Sequence, residues 1–381
     1  MGESKKHLIL VAGEASGDMH AAHLVKELKH LDPSLAFSGL GGPQMQENGV
    51  EIYKDLTRMA VVGFIEVLQH YREIREAFHL ILTKACEIMP AAVILVDYPG
   101  FNLALARELK KRNIKVIYYI SPQVWAWGEK RVYKIQRYVD RMLVLFQFEK
   151  DFYTRFGIHV DFVGHPLLDT VQVTQSKEAF LRSHGLQTEK LTVGLLPGSR
   201  EKEVEHLLPV MLEAADILAG KFPHMQFLIL NAPTIKKSLI EKFCRRSPCR
   251  PLIIGGETYD GIHACDVCIV ASGTATLETA ILKKPMVVVY KTSFLTWLLA
   301  KCLVKIPDIG LVNVVAGKRI VPECVQFQAT GPKIAEELEN IFTNEIRIAE
   351  MKAEFDKVKS VLGSGGSSRR AAHKIIESVR T

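Results

Sequence analysis

The regular pattern of the chain begins at residues 8–18 with the stretch LILVAGEASGD. Its first five residues are apolar, and glycine, acidic residues and an amphipathic segment follow them. A short run that is apolar on both faces and rich in Ile, Val and Leu is typical of a parallel strand covered by helices. The stretch therefore predicts a strand, a tight turn and a helix, and its apolar part is too short for a secretory leader.

Runs of the same kind alternate with longer amphipathic segments, which predicts an α/β fold with doubly wound, Rossmann-like parallel sheets. The pattern pauses at the polar residues 169–176 and opens again at residue 191. We therefore expect two domains, residues 1–168 and 169–349, with a C-terminal segment, 350–381, that completes the first. The space between two such domains is a favoured place for a ligand. The clearest apolar runs are residues 8–12, 93–96, 116–120, 142–145, 191–195, 226–230, 251–254, 267–270 and 286–289.

The composition is that of an ordinary globular protein. Of its 381 residues, 48% are hydrophobic and 24% are charged, which excludes disordered, collagen-like and disulfide-scaffold proteins. A formal net charge of +7 leaves nucleic acid, anionic lipid and a phosphorylated small molecule open as partners. No window approaches the 18 consecutive apolar residues of a membrane-spanning helix.

The seven cysteines are scattered and odd in number, which indicates a reducing compartment and predicts a cytoplasmic protein. Cys265 and Cys268 have the C-x-x-C spacing. Because Cys268 lies inside a strand-like run, we expect buried thiols and not a metal or redox site.

Polar or glycine-rich loops follow four of the predicted strands and open a helix, where backbone N–H groups and the helix dipole favour anions. The first loop, residues 13–18, has neither the G-x-G-x-x-G nor the Walker pattern, which argues against dinucleotide or ATP binding by those routes. Two interpretations stay open: Asp18 caps a helix in a structural turn, or Glu14 and Ser16 face a ligand.

The second loop begins with Asp97, directly after the apolar residues 91–96. A carboxylate at the tip of a buried strand is poorly solvated, which suits a general base, whereas a helix cap needs only hydrogen bonding. From the residues alone, both roles stay open for Asp97.

A separate stretch, residues 121–127, places Trp125 and Trp127 after another predicted strand. The two rings either belong to the core or wall a sugar or acyl pocket. The neighbouring basic cluster is short and no nucleic-acid module accompanies it, which argues against RNA. The basic residues are Lys130, Arg131, Lys134, Arg137 and Arg141.

Two loops in the second half of the chain predict a nucleotide diphosphate site. Residues 195–200 end a strand and bring Gly198, Ser199 and Arg200 to a helix start, where N–H groups and a guanidinium suit a pyrophosphate. Residues 271–278 repeat this geometry with small residues. A carboxylate one turn into the second helix can accept both hydroxyls of a ribose. The residues of this second loop are Ser272, Gly273, Thr274 and Glu278.

Taken together, these motifs resemble those of the lipid-A-disaccharide synthases, glycosyltransferase family 19, which have the GT-B fold of two facing Rossmann-like domains with the active site in the cleft. The resemblance covers the whole chain in order. It is carried by residues 13–18, 121–127, 164–166, 196–200 and 271–278.

This resemblance implies an inverting transfer of 2,3-diacylglucosamine from its UDP carrier to 2,3-diacylglucosamine 1-phosphate. The products are the β-1,6-linked lipid A disaccharide 1-phosphate and UDP. It further implies no metal and no cofactor, an acceptor-binding first domain, and a second domain that binds the UDP-sugar.

By the same resemblance, Asp97 is the candidate base, Arg200 meets the UDP phosphates and Glu278 holds the ribose. Asn313 matches a polar position expected in the cleft. The chain departs from the family pattern at Val312 and Cys324, which we interpret as packing changes. The other residues carried over are Gly198, Ser199, Ser272, Gly273 and Thr274 for UDP, and Glu14, Ser16, Asp18 and Trp125 for the acceptor.

Because both implied substrates carry acyl chains, we expect contact with the cytoplasmic face of the inner membrane. Two segments are candidates, residues 59–82 with Phe64, Ile65 and Leu68, and residues 293–305 with Trp297. Each is alternatively an amphipathic helix packed on its own domain. The resemblance also allows a homodimer that exchanges the C-terminal segment.

Two further functions stay open from the sequence. One is a GT-B-fold isomerase of UDP-N-acetylglucosamine, which needs no acceptor lipid. The other is a non-catalytic nucleotide-sugar or lipid binding protein, which needs no carboxylate at position 97.

Overall fold

A computed structural model of the protein describes residues 6–57, 71–126, 128–292, 297 and 307–380. The chain divides into two compact units. Unit 1 comprises Met1–Pro166 and Leu362–Thr381, and unit 2 comprises Leu167–Val361.

Unit 1 is built on a parallel sheet in the order β3-β2-β1-β4-β5-β6-β7. The apolar runs form its strands because helices cover both faces, and all five residues of β4 are buried. The strands are β1 His7–Ala12, β2 Ala36–Gly41, β3 Glu51–Asp55, β4 Ala92–Val96, β5 Val116–Tyr119, β6 Arg141–Val144 and β7 Asp161–Phe162. The helices that alternate with them are α1 Ala15–Leu31, α2 Pro43–Glu47, α3 Tyr71–Ile88, α4 Pro99–Lys110, α5 Val132–Tyr138 and α6 Gln147–Thr154, with a 3-10 turn at Glu129–Arg131.

Unit 2 repeats the arrangement with a parallel sheet in the order β10-β9-β8-β11-β12-β13. Its strands are β8 Leu191–Leu196, β9 Met225–Asn231, β10 Leu252–Gly255, β11 Val267–Ala271, β12 Met286–Tyr290 and β13 Glu323–Val325. Its helices are α7 Leu167–Thr170, α8 Lys177–Ser183, α9 Glu201–Lys221, α10 Lys237–Cys244, α11 Thr258–Ala264, α12 Thr274–Ile281, α13 Leu311–Ala316, α14 Gly331–Phe342 and α15 Glu345–Val361, with a 3-10 turn at Gln326–Gln328.

The strand orders confirm the predicted doubly wound α/β fold. In each sheet the winding reverses beside the first strand, between β1 and β4 in unit 1 and between β8 and β11 in unit 2. Ligands of open parallel sheets bind at the carboxyl ends of the strands at such a switch point. The fold therefore draws attention to the loops after these four strands.

The C-terminal helix α16, Ser367–Arg380, returns to unit 1 and packs on α1. Arg370 Nε donates to the Val163 carbonyl at 2.8 Å, and Arg141 Nη1 donates to the Lys374 carbonyl at 2.8 Å. The chain rejoins unit 1 at Leu362 and not at residue 350, because α15 packs against α12, α13 and α14 of unit 2.

The C-x-x-C thiols are buried, as predicted. Cys265 and Cys268 are both fully shielded from solvent, and Cys265 Sγ donates to the Gly261 carbonyl at 3.1 Å. The interaction with Cys268, together with burial, holds the pKa of Cys265 well above its usual range. The pair therefore fills the space beside Gly194, where an added Cβ would lie 2.7 Å from Cys265 Sγ.

Strands β1 and β2 approach each other so closely that one position admits only glycine. Gly39 pairs with Leu10, and a Cβ at residue 39 would lie 1.8 Å from the Leu10 carbonyl oxygen. The backbone at Leu10 cannot move aside as a flexible side chain can, so a Cβ at residue 39 would clash with it. This close approach fixes the position of β1 relative to β2, and with it the position of the loop that follows β1.

We predict that Gly39→Ala lowers the free energy of unfolding by about 3 kcal/mol or more, because an overpacked backbone contact must be relieved. Urea unfolding followed by circular dichroism measures the change. Gly220→Ala is the matched control, since a Cβ on that exposed residue of α9 meets nothing within 4 Å. Equal stability of the two variants would contradict the prediction.

Candidate active site

The loops after β1 and β4 of unit 1 lie against each other. A Cβ at Gly13 would lie 2.3 Å from Cδ1 of Tyr98, so the tyrosine ring covers the Gly13 backbone. Burial, and secondly the charge of Glu14, raise the pKa of Tyr98. Glu14 and the turn that begins at Asp97 therefore share one edge of the sheet, with Ser16 exposed beside them.

Asp97 lies at the carboxyl end of β4 and is partly buried. Its backbone N–H donates to the Tyr119 carbonyl of the neighbouring strand at 3.2 Å, which extends the sheet by one residue. The N-cap position of α4 is Tyr98 and not Asp97. The carboxylate thus stands at the tip of a fully buried strand, as a candidate base requires.

Asp18 does not have the acceptor-side position expected from the sequence. Its carboxylate accepts the backbone N–H groups of Gly42 at 2.8 Å, Gln44 at 3.0 Å and Met45 at 3.2 Å, and the residue is 2% exposed. Three donors and burial commit both oxygens to the turn between β2 and α2. This corrects the ligand assignment of Asp18 and favours the structural interpretation, with the cap on α2.

Trp125 is half-buried and anchored by a buried carboxylate. Its Nε1 donates to Glu149 Oε1 at 3.3 Å, and its ring meets Phe148 edge-on with centroids 4.9 Å apart. Glu149 also accepts the backbone N–H groups of Leu145 and Phe146. Burial raises the pKa of Glu149 to about 7. Trp127 lies outside the described residues.

In unit 2, the loop after β8 presents Ser199 and Arg200, both exposed, at the start of α9. Gly198 has φ +112°, and a Cβ there would lie 2.7 Å from Glu203 Oε2. Glu203 accepts from the Ser199 backbone N–H at 3.3 Å and from Arg200 Nη1 at 2.9 Å. Glycine at position 198 therefore lets the loop fold back over Glu203, and the Glu203 carboxylate orients the Arg200 guanidinium.

The loop after β11 lies beside it, because Val270 of β11 pairs with Leu196 of β8. Gly273 and Thr274 are exposed at the start of α12, and a Cβ at Gly273 would meet nothing within 4 Å. Ser272 Oγ instead donates to the Ile309 carbonyl at 2.9 Å. Exposed backbone at the start of an eight-residue helix, next to a guanidinium-bearing loop, suits an anion.

Glu278 lies one turn into α12 and is partly buried. Tyr259 hydroxyl donates to its Oε1 at 3.4 Å, and burial raises the pKa of Glu278 to about 7. Among the described residues, the Tyr259 hydroxyl is the donor that holds this carboxylate, so lone pairs remain for a diol.

Asn313 is not in the position expected from the sequence. It is fully buried, and its Nδ2 donates to the Val321 carbonyl at 3.0 Å and to Glu323 Oε1 at 2.8 Å. Its Oδ1 accepts the backbone N–H groups of Ile320 at 2.8 Å and Val321 at 3.0 Å. An amide has two donors and two acceptor lone pairs. All are used within unit 2, so the expected cleft position is corrected to a structural one.

Glu323 extends the same network to the loops of the candidate site. It accepts the backbone N–H groups of Ile309 at 2.9 Å and Gly310 at 2.8 Å, just before α13. The neighbouring departures from the family pattern, Val312 and Cys324, are both buried in the core, as packing changes should be.

A family model described as lipid-A-disaccharide synthetase matches residues 8–378. The chain belongs to the lipid-A-disaccharide synthetase family. The lipid-A-disaccharide synthase of Geobacter metallireducens is 42% identical over 372 residues, 98% of this chain and 97% of that protein. The lipid-A-disaccharide synthase of Geobacter sulfurreducens is 44% identical over 378 residues, 99% and 98% of the two chains.

Solved structures share the fold of this synthetase family member. A UDP-GlcNAc 2-epimerase from Neisseria meningitidis bound to UDP-GlcNAc has a TM-score of 0.66 at 14% identity, over 97% of this chain and 100% of that chain. CalG4, the calicheamicin glycosyltransferase, has a TM-score of 0.62 at 13% identity, over 99% and 98%. These likenesses show the fold alone, and they confirm the predicted fold of two Rossmann-like α/β domains with parallel sheets.

Family membership also confirms the prediction of a glycosyltransferase whose substrates are a nucleotide sugar and a lipid phosphate. The two other functions left open by the sequence are not favoured, because relatives matched along almost their whole length are lipid-A-disaccharide synthases. The epimerase likeness rests on 14% identity.

Several residues that support the candidate site carry no recognisable motif in the sequence. Asn102, Tyr118 and Glu149 lie behind the loops of unit 1, and Thr234 and Tyr259 lie behind those of unit 2. Each lies on or within a few residues of a strand end or helix start, which is the one signal that could have marked it.

Of the expected membrane contacts, Phe64, Ile65 and Leu68 lie outside the described residues. Trp297 is half-buried and meets Phe327 edge-on, with ring centroids 5.2 Å apart, and Phe327 is 67% exposed. Within the described ranges, no helix has the length and apolar character needed to cross a bilayer.

We predict that Glu149→Gln weakens the dependence of stability on pH. Between pH 4.5, the ordinary pKa of a glutamate, and about pH 7, Glu149 is protonated in the folded chain. In the unfolded chain it is ionised over the same range. The free energy of unfolding therefore falls as pH rises through this window, by on the order of 3 kcal/mol from this group. Urea unfolding at pH 5 and pH 8 measures the slope.

The matched control is Glu47→Gln, an exposed carboxylate of α2, which should keep the slope of the parent. A parent-like slope in Glu149→Gln would contradict the assignment of the proton to this side chain.

Proposed function

We propose that this chain transfers 2,3-diacylglucosamine from its UDP carrier to the 6-hydroxyl of 2,3-diacylglucosamine 1-phosphate. The products are the β-1,6-linked disaccharide 1-phosphate and UDP. The observation that carries the proposal is the identity of 42–44% to lipid-A-disaccharide synthases along nearly the whole chain. Support comes from a carboxylate at the switch point of unit 1 and a phosphate-type loop pair at that of unit 2.

In the proposed reaction, Asp97 accepts the proton of the acceptor 6-hydroxyl. The oxygen attacks C1 of the donor sugar from the face opposite UDP, a C1–O6 bond forms and the C1–O bond to the diphosphate breaks with its electron pair on UDP. A single displacement inverts C1 and needs one base and no covalent intermediate.

The leaving diphosphate gains negative charge during this step. The Arg200 guanidinium, together with backbone N–H groups at Ser199, Gly273 and Thr274, is proposed to stabilise that charge. Gly198 and Ser272 shape the two loops. Glu278 accepts the ribose hydroxyls, and Tyr259 holds it in place.

On the acceptor side, we assign Glu14, Ser16 and Trp125 to the binding of 2,3-diacylglucosamine 1-phosphate. Glu14 and Ser16 lie on the loop after β1, beside Asp97, and Trp125 is fixed by Glu149. No metal, cofactor or nucleic acid takes part in the proposed reaction, so turnover should persist in the presence of EDTA.

Contact with the cytoplasmic face of the inner membrane is also proposed. The half-buried Trp297 and the exposed Phe327 present aromatic surface of the kind found at bilayer interfaces. Co-sedimentation with vesicles of anionic phospholipid tests this, and loss of binding in Phe327→Ser is the expected result.

A homodimer that exchanges α16 would reuse the contacts of this helix with α1. Analytical ultracentrifugation measures whether the protein forms such a dimer.

The activity is tested by incubating the purified protein with UDP-2,3-diacylglucosamine and 2,3-diacylglucosamine 1-phosphate in detergent. Mass spectrometry should detect the disaccharide 1-phosphate and an equal amount of UDP. Absence of both products, with the substrates intact, would overturn the proposed function.

We predict that Asp97→Asn lowers kcat by about 100- to 10,000-fold, the usual contribution of a general base, with UDP affinity nearly unchanged. Asn keeps the size of the side chain but cannot accept the proton. Asp151→Asn, which makes the same charge change on the exposed face of α6, should keep the parent rate. A near-parent kcat in Asp97→Asn would remove this residue as the base.

We predict that Arg200→Ala weakens UDP binding by about 10- to 100-fold, because a charged hydrogen bond to phosphate is lost. Isothermal titration with UDP measures the affinity. Arg245→Ala removes an exposed guanidinium elsewhere in unit 2 and should bind UDP as the parent does. Unchanged affinity in Arg200→Ala would count against its phosphate role.

A further inference from the structure

We propose that Asn102 and Tyr118 are positioning residues that clamp the backbone of Asp97 and so fix the direction of its carboxylate. The inference rests on the proposed function, which makes Asp97 the base. It adds two residues that neither touch the reacting atoms nor belong to the motifs that carry the family resemblance.

The backbone at Asp97 is strained. Asp97 has φ +48° and Tyr98 has φ +46°, so two successive residues with side chains occupy the left-handed region. This conformation costs about 1–2 kcal/mol per residue. It turns the chain sharply at the end of β4 and persists only where surrounding contacts enforce it.

Two buried donors enforce it by holding the same atom. The Tyr118 hydroxyl donates to the Asp97 carbonyl oxygen at 2.6 Å, and Asn102 Nδ2 donates to it at 2.7 Å. Asn102 and Tyr118 are both fully buried. Asn102 Nδ2 also lies 3.2 Å from the Val96 carbonyl, so one amide ties the last residue of β4 to the turn.

The Asp97 backbone is therefore fixed on both sides. Its N–H is held by the Tyr119 carbonyl at 3.2 Å, and its carbonyl is held by the clamp. When the peptide groups on either side of a Cα are fixed, the direction of the Cα–Cβ bond is fixed with them. Only the two side-chain torsions of Asp97 remain to place the carboxylate.

Asparagine at position 102 destabilises the folded chain in a way that an apolar side chain would not. Its Oδ1 is buried and has no hydrogen-bond partner among the described residues. An unsatisfied buried acceptor costs about 1–3 kcal/mol, which an apolar side chain of similar size would avoid. Only an amide or another donor can hold both the Val96 and Asp97 carbonyls, which is the property the clamp needs.

Tyr118 is suited to act as a permanent donor. Burial, and secondly the charge of Asp97, hold the pKa of Tyr118 well above its usual range. The hydroxyl therefore keeps its proton throughout the range in which Asp97 would act as a base.

The test compares Tyr118→Phe and Asn102→Leu with the parent, in a wild-type and in an Asp97→Asn background. We expect Tyr118→Phe to lower kcat about 10-fold, the effect of one lost hydrogen bond, with KM for the UDP-sugar unchanged. Asn102→Leu should lower kcat further. In the Asp97→Asn background, single-turnover rates should change little on adding either substitution, since the carboxylate they position is gone.

The matched control is Ser38→Ala. It removes one buried hydroxyl of unit 1, bonded to His7 Nε2 at 2.7 Å in the middle of β2, and should keep the parent kcat. Thermal unfolding confirms that each variant is folded. If Asn102→Leu does not fold, Tyr118→Phe, which removes a single oxygen atom, carries the test alone.

Three results would overturn the inference. A parent-like kcat in Tyr118→Phe, with Asp97→Asn slow, removes the clamp but leaves Asp97 as base. An equal loss in both backgrounds makes the contribution purely structural. A parent-like kcat in Asp97→Asn itself ends both the base assignment and the clamp, and so separates failure of the proposed mechanism from failure of this inference.

Discussion

A strand buried on both faces can become polar only at its ends, and this constraint places the chemistry of the whole chain. Helices cover both faces of each sheet, and parallel strands all finish at one edge. Where the winding reverses, the crossover helices leave to opposite sides and the two neighbouring loops stay uncovered. Asp97 stands at one such place, and Arg200 and Gly273 stand at the other.

Hydrogen bonding then decides which of the carboxylates at these edges serves the fold. Asp18 accepts three backbone N–H groups, and Glu323 accepts two together with an amide of Asn313. Both carboxylates therefore stabilise turns of the backbone. Among the described residues, Glu278 instead has the Tyr259 hydroxyl as its donor, and burial raises its pKa to about 7. Similar residues in similar places therefore have different chemistry because their donors differ.

Most of the architecture could be predicted from the sequence, because strand and helix periods are local. The adjacency of β1 with β4 and of β8 with β11 follows from the winding rule once the strands are known. The errors concern long-range partners. The donors to Asp18 are backbone groups that begin 24 residues away, and backbone groups carry no side-chain signature.

Asn313 was misplaced for the same reason, since a cleft residue and a buried network residue look alike in sequence. The returning segment starts at Leu362 and not at residue 350, because α15 buries Met351, Phe355 and Val358 against unit 2. The sequence of this helix does not indicate which of the two sheets it will pack on.

Because the last helix returns to unit 1, the two units are completed at different times during synthesis. Unit 2 is one continuous stretch, Leu167–Val361, whereas unit 1 needs both ends of the chain. Helix α16 leaves the ribosome only after all of unit 2 has been made. The unit that begins first is therefore completed last, and until then the face of α1 that α16 covers stays open to water.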